Sequence, residues 1–188
     1  MKSSPNKVGH GGMVTLSLLV LGIVIIALVM PLVSSQLAFA AELQMTAPEQ
    51  DGYTNDHEYN NTDTVLLCGQ NGYVVVMEFP LSAGLTLRKA QLILTISRVK
   101  KPGRVALAHL LNFNNGYAET QDFYAATEKM GEQWVEKAGP IVFDVTKAVK
   151  RDAQGPGGFT SYRLQSEGAE IMLPAMESGT DGAHISVE

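Results

Sequence analysis

The chain has 188 residues, a net charge of −5 at pH 7 and 45% hydrophobic residues. This composition excludes a disordered chain and supplies enough apolar side chains for the core of one globular domain. After residue 40 there are 19 acidic and only 12 basic residues, a net charge of −7 that argues against nucleic-acid binding.

The amino-terminal segment has the pattern of an export signal. Lys2 and Lys7 precede an apolar run at 13–33, and Ala38 and Ala40 form the small-x-small pattern of a signal-peptidase site. Because the run is also long enough to cross a bilayer, we interpret residues 1–40 as either a signal peptide or an N-terminal hydrophobic anchor helix. Both alternatives predict a secreted or cell-surface protein that touches a membrane only through this segment. Residues 41–188 then form a single exported domain.

The segment between Asp51 and Asp63 is rich in loop-forming residues and in oxygen ligands. Carboxylate and carbonyl oxygens suit calcium, but the spacing here is not that of an EF-hand. A solvated loop before a strand at 64–68 is therefore favoured over a structural calcium site. The ligands in the calcium alternative are Asp51, Asp56, Glu58 and Asp63.

Two neighbouring runs predict the central pair of strands. The run at 73–81 is apolar at nearly every position, which is typical of a strand covered on both faces, and Pro80 ends it. The run at 87–99 alternates apolar and polar residues, which indicates a half-buried strand. The lone Cys68 lies in another apolar run and is interpreted as a small buried side chain.

The next segments combine a strand with a loop that suits carbohydrate. Residues 104–111 read as a strand, in which His109 is expected to be a hydrogen-bonded structural histidine. The loop at 112–117 carries aromatic side chains, including Tyr117, among amides. Aromatic faces stack on the C–H surfaces of sugars and amides pair with hydroxyls, although an ordinary asparagine-rich turn has the same composition.

The carboxyl-terminal half predicts one helix and several more strands. Apolar residues at three- and four-residue spacing indicate a helix at 119–130. Trp134 is expected in the core rather than exposed as a binding platform. Strands are predicted at 140–146, 159–165, 170–175 and 183–187, with a hairpin turn at 166–168 and a short helical turn after Asp144. About nine short strands and one short helix predict an all-β, jelly-roll β-sandwich.

The order of these segments resembles the disaggregatase-related domain named for its DNRLRE motif, which is similar to an alginate-binding family of carbohydrate-binding modules. The resemblance lies in Asp51-Gly52-Tyr53, in residues 76–81 and 90–94, in the run Val142-Phe143-Asp144-Val145-Thr146, and in segments at 158–164, 177–178 and 185–187. The DNRLRE motif itself is absent, so the resemblance implies a fold rather than individual binding residues. It implies a secreted module that binds polysaccharide or builds cell-surface structure.

No nucleophile elbow, histidine-rich metal motif or phosphate-binding glycine loop occurs in the sequence, so we do not expect an enzyme. We predict a glycan-binding module whose partner is a polysaccharide or cell-surface glycan. Its sugar contacts are expected from Tyr117 and from the basic residues at both ends of the 87–99 strand. These basic residues are Arg88, Lys89, Arg98, Lys100, Lys101 and Arg104.

The alternative is a structural or adhesive subunit of a matrix, surface layer or filament. In that case the closing strand, which ends at Glu188, is expected to offer an open sheet edge for self-association.

Overall fold

The computed structural model describes residues 44–46, 50–112, 114–178 and 182–188, which belong to one compact unit, Leu43–Glu188. The predicted signal or anchor segment at 1–40 lies outside the described residues. The strands are β1 (Gln44–Thr46), β2 (Gln50–Thr54), β3 (Tyr59–Asn60), β4 (Val65–Cys68), β5 (Val74–Pro80), β6 (Ala90–Ile96), β7 (Arg98–Lys101), β8 (Gly103–Leu110), β9 (Thr127–Val135), β10 (Gly139–Asp144), β11 (Phe159–Glu167), β12 (Glu170–Pro174) and β13 (His184–Val187). One α-helix, α1 (Thr146–Asp152), and three short 3₁₀ turns, Gln70–Gly72, Thr120–Phe123 and Met176–Ser178, complete the described elements.

The strands form three sheets in which all ladder pairings are antiparallel. A six-stranded sheet has the order β3-β2-β5-β11-β8-β9, a four-stranded sheet β1-β13-β6-β10, and a three-stranded sheet β4-β12-β7. Only Ser97 separates β6 from β7, and its N–H donates to the carbonyl of Met172 in β12. The four- and three-stranded sheets are therefore linked through one nearly continuous strand.

The core lies between the six-stranded sheet and the other two sheets. Inward-facing side chains of β5 and β11 pack with those of β6 and β12 in one cluster of buried apolar residues. These residues include Val75, Met77, Phe79, Leu92, Leu94, Ile96, Tyr162, Leu164, Ile171 and Leu173. This arrangement confirms an all-β sandwich. Cys68 is fully buried in the same cluster, as predicted.

The two central runs are strands, as predicted, but they do not pair with each other. β5 lies between β2 and β11 in the six-stranded sheet, whereas β6 lies between β13 and β10 in the four-stranded sheet. The two strands therefore contribute to opposite layers of the core. β5 is also covered on both faces, because Val76 and Glu78 on its outer face are fully buried.

The prediction of a helix at 119–130 is wrong. Its first residues form the 3₁₀ turn, and Thr127–Val135 is strand β9 along the edge of β8. The guanidinium of Arg163 donates to the carbonyls of Asp122 and Phe123, so these groups are not available to a continuing helix. The α-helix lies instead at Thr146–Asp152, where a short helical turn after Asp144 was predicted, and Asp144 Oδ1 accepts the N–H of Thr146 at 2.9 Å.

Two further connections differ from the predictions. β11 and β12 do not form a hairpin, because β11 pairs with β5 and β8 while β12 pairs with β4 and β7. The closing strand β13 is not an edge, since it pairs with β1 on one side and β6 on the other.

Among the described residues, no helix is long and apolar enough to cross a bilayer.

Candidate functional site

The six predicted basic contact residues are all exposed and fall into two groups. Arg88 and Lys89 lie just before β6, and their N–H groups donate to the Glu188 carbonyl at 2.6 and 3.1 Å. The other four lie on β7 and at the start of β8. A strand rises by about 3.3 Å per residue, so Lys89 and Arg98 are about 30 Å apart and the two groups cannot act as one patch.

Tyr117 lies on a segment that covers the outer face of the six-stranded sheet. This covering segment, residues 114–125, is held by sheet side chains. Glu78 accepts the N–H of Gly116 at 3.2 Å, and Gln50 accepts the N–H of Ala118 at 3.3 Å. Tyr117 is 59% exposed on the solvent side of the covering segment. The aromatic ring predicted to contact sugar is therefore accessible.

The four predicted calcium ligands have separate roles. Asp51 is buried and accepts the N–H of Met176 at 3.0 Å, whereas Asp56 is exposed beside His57. The carboxylates of Asp63 and Glu58 accept hydrogen bonds from the hydroxyls of Tyr53 and Tyr73, respectively.

No group of three or more acidic, histidine or cysteine side chains within the described residues is arranged to hold a metal ion. The calcium site stays a hypothesis.

The prediction that Trp134 lies in the core is wrong, since this side chain is 63% exposed. Adjacent residues of a strand point to opposite faces, so only one of Trp134 and Val135 can enter the core. Val135 does so at 2% exposure. From the sequence alone, either Trp134 or Val135 could be the residue that faces the core. The pairing of β9 with β8 determines that it is Val135.

Trp134 belongs to a row of exposed side chains on the outer face of β8 and β9. Arg104 lies directly opposite Trp134 in the ladder. Its guanidinium contacts Glu132 at 3.5 Å, and Glu132 accepts a 2.6 Å ion-pair hydrogen bond from Lys129. We call these four residues the Trp134 strip. The charged side chains in it are exposed, so their pairing is weak and open to rearrangement around a ligand.

A group of buried polar side chains lies beneath the covering segment. Glu78 and Asp122 are both fully buried, and burial raises the pKa of Glu78 to about 7 and that of Asp122 to about 6. The nearby guanidinium of Arg163 partly opposes the shift of Asp122. Among the described residues, one polar atom each of Tyr59, Glu78, Asp122, Ser161 and Arg163 is buried there without a hydrogen-bond partner. Sequence patterns gave no signal for this cluster, because the covering segment was predicted as loop and helix.

His109 is the buried, hydrogen-bonded histidine that was predicted. Its Nε2 lies 2.6 Å from Oδ2 of Asp152 at the end of α1, and its Nδ1 contacts the guanidinium of Arg151. Arg151 also donates to Glu128 on β9 at 2.9 Å. These contacts fasten the end of α1 to β8 and β9.

No protein-family model matches this sequence, and no curated protein matches it either. The resemblance to the disaggregatase-related domain therefore stays a hypothesis, and the support for a function comes from the geometry of the surface.

Proposed function

We propose that this chain is an exported, non-catalytic module that binds polysaccharide or a cell-surface glycan. The observation that carries the proposal is the exposure of Trp134 directly opposite Arg104 on the outer face of the six-stranded sheet. Tryptophan and arginine are the side chains that most often dominate the energy of binding surfaces. An indole face supports the C–H surface of a sugar, and a guanidinium donates to its hydroxyls.

Further basic residues lie at the end of the sandwich next to Arg104. Lys101 precedes Arg104 by three residues, whereas Lys100 and Arg98 lie farther along β7, in the opposite layer. Long cationic side chains at this end of the sandwich would favour acidic sugars by charge, although the domain as a whole is acidic. Arg88 and Lys89 lie at the opposite end of β6 and are not part of this surface.

The proposal includes a jelly-roll path for the sandwich and export through residues 1–40. Support for the jelly roll comes from antiparallel sheets that face each other across one core, with consecutive strands such as β5 and β6 in different layers. Support for export comes from the charged, apolar and small-residue order of the first 40 residues.

The alternative is a structural subunit that assembles through sheet edges, which the terminal strands of the sheets, such as β9 and β10, provide. Strand β10 has a sheet partner, β6, on one side only, so its other side is an edge. On that side, the amide of Gln133 donates to the Val142 carbonyl and occupies an acceptor that an added strand would need.

Affinity electrophoresis of the full chain tests the proposal, in gels that contain acidic or neutral polysaccharides, with and without calcium. We expect one glycan class to retard the protein and Trp134→Ala to abolish the retardation. Val142→Ala, which trims an exposed apolar side chain on the other sheet, should leave it unchanged. The proposal is wrong if no glycan retards the protein, or if Trp134→Ala is retarded like the wild type. Loss of retardation without calcium would support the calcium hypothesis.

A further inference from the structure

A cleft of about 260 Å³ opens at the end of the sandwich where β8 and α1 terminate. Its walls come from the end of β8, the end of α1 and the two loops that follow these elements. They include His109, Leu111, Asn114, Arg151, Asp152 and Phe159. His109 is five residues from Arg104 along β8, so the cleft lies about 17 Å from the Arg104–Trp134 end of the strip, whereas Lys129 pairs with Ala108 next to the cleft.

The polar part of the cleft wall consists of paired charged side chains and the amide of Asn114. Arg151 donates to Nδ1 of His109, so Nδ1 is the acceptor and Nε2 carries the hydrogen that Asp152 accepts. Both ring nitrogens of His109 are therefore engaged in hydrogen bonds within the protein, and the ring lines the cleft without bonding a ligand. Oδ1 of Asn114 is buried without a partner among the described residues, so a ligand reaches this acceptor only when the amide turns toward the cleft. Oδ1 of Asp152 lies 3.7 Å from Nε of Arg151, within ion-pair distance.

An unpaired buried acceptor is unfavourable unless a donor reaches it. The ligand that suits this acceptor therefore carries a hydroxyl donor. A free carboxylate is disfavoured, because both nearby cations are already paired. Arg151 and Lys147 bind the two carboxylate oxygens of Glu128 at 2.9 and 2.8 Å.

Another part of the cleft wall is apolar. Leu111 is a large apolar side chain that is nevertheless 49% exposed, and the half-buried Phe159 ring also lines the cleft. A Cβ at Gly116 would come within 2.6 Å of this ring, so the covering segment packs tightly against Phe159 and fixes its position. A lining with apolar side chains and a polar amide suits the C–H surface and the hydroxyls of a sugar ring. The volume is below the roughly 300 Å³ of typical small-molecule pockets, which limits the ligand to a single ring.

We propose that this cleft is a second glycan site, which binds one neutral sugar unit such as the terminal residue of a chain. The inference takes its ligand class from the proposed function, but its residues are not those of the Trp134 strip. A chain end held in the cleft and a chain interior held on Trp134 would let one module bind a polymer at two points.

Chemical-shift titration of the full chain with glucose, galactose, mannose and glucuronate tests the inference. We expect at least one neutral monosaccharide to shift the amide signals of residues 109–114 and 151–159. Asn114→Leu should weaken this binding at least tenfold, because it removes the unpaired acceptor. Leu111→Ala, which trims an exposed side chain without disturbing the core, should also weaken it. Gln154→Ala, in the same loop but outside the cleft, should have no effect.

The inference is overturned if no neutral sugar shifts these signals, if glucuronate binds the cleft as tightly as the neutral sugars, or if neither cleft variant weakens binding. The amide spectrum of each free variant shows whether it is folded, and Leu111→Ala decides the outcome if Asn114→Leu is not. Trp134→Ala separates the two proposals. It should abolish retardation by polysaccharide and leave monosaccharide binding in the cleft intact. Each of the two proposals can therefore be contradicted without the other.

Discussion

At the scale of single residues, the most consequential feature is the pair of buried carboxyl groups beneath the covering segment. Glu78 projects from β5 toward Gly116, and Asp122 accepts the N–H of Glu119 at 2.7 Å in a capping box. Glu119 and Asp122 add negative charge near Glu78, and Arg163 is the cation that faces Asp122. Both acids therefore hold their protons more tightly in the folded chain than in the unfolded chain.

This binding of protons predicts how stability depends on pH. Because the folded state binds more protons than the unfolded state between the ordinary and the raised pKa values, the free energy of unfolding should fall as pH rises from about 4 to about 7. The raised pKa of Glu78, about 7, corresponds to a loss of roughly 3 kcal/mol across this window. Urea unfolding at pH 5, 6, 7 and 8 measures the effect.

Glu78→Gln is the matched variant for this prediction, since it keeps the shape of the side chain and removes its titration. It should flatten the decline in stability with pH. A wild-type stability that rises through this window, or an unchanged slope in Glu78→Gln, would show that these carboxyls do not carry the effect.

At the scale of elements, the sequence predicts strands better than it predicts their partners. Period-two alternation identified β6, and continuous apolar character identified β5, because both signals are local. Which sheet each strand joins depends on contacts between distant residues, so the expected β5–β6 pair and the β11–β12 hairpin were wrong. The helix expected at 119–130 failed because β8 and Arg163 supply hydrogen bonds that outweigh a helical spacing of apolar residues.

The same long-range contacts explain which parts of the candidate site were predictable. The sequence suggested Arg104 and Tyr117 as contacts, and both are exposed. It offered Trp134 as a binding platform only as the less favoured alternative, because the choice between Trp134 and Val135 is made by the pairing of β9 with β8. The cleft was also not predicted, since it joins the ends of β8 and α1, which are about 40 residues apart in the chain.

The crossing from β11 to β12 provides a prediction at this scale. A Cβ at Gly103 would lie 2.4 Å from the backbone nitrogen of Ala169, where the crossing chain passes the start of β8. Gly103→Ala should therefore destabilise the domain by about 1–3 kcal/mol through overpacking against backbone that cannot move aside. Chemical denaturation measures the change.

Gly131→Ala is the control, because it also lies in a strand of the six-stranded sheet and its Cβ would make only an ordinary 3.4 Å contact with the Phe143 ring. If Gly103→Ala is as stable as Gly131→Ala, the close crossing of the two segments is incorrect.

At the scale of the whole molecule, the residues that stabilise the sandwich and the residues proposed to bind glycan lie in different places. Its interior is a continuous apolar core between the sheets, while the candidate contacts lie on one outer face and at one end. In the proposed function, a sheet that presents Trp134 would need little rearrangement to bind an extended chain, which favours affinity by preorganisation. The acidic charge of the domain would then make the local basic residues near Arg104 the main source of preference between acidic and neutral glycans.

The most direct test of this account is the fluorescence of Trp134, since it is the only tryptophan in the chain. In the free protein we predict red-shifted emission that acrylamide and iodide quench readily, as expected for an exposed indole. Addition of the polysaccharide that retards the protein should shift the emission to shorter wavelength and protect it from both quenchers. Emission that is already protected in the free protein, or that does not change while the polysaccharide binds, would contradict a glycan-binding surface built on Trp134.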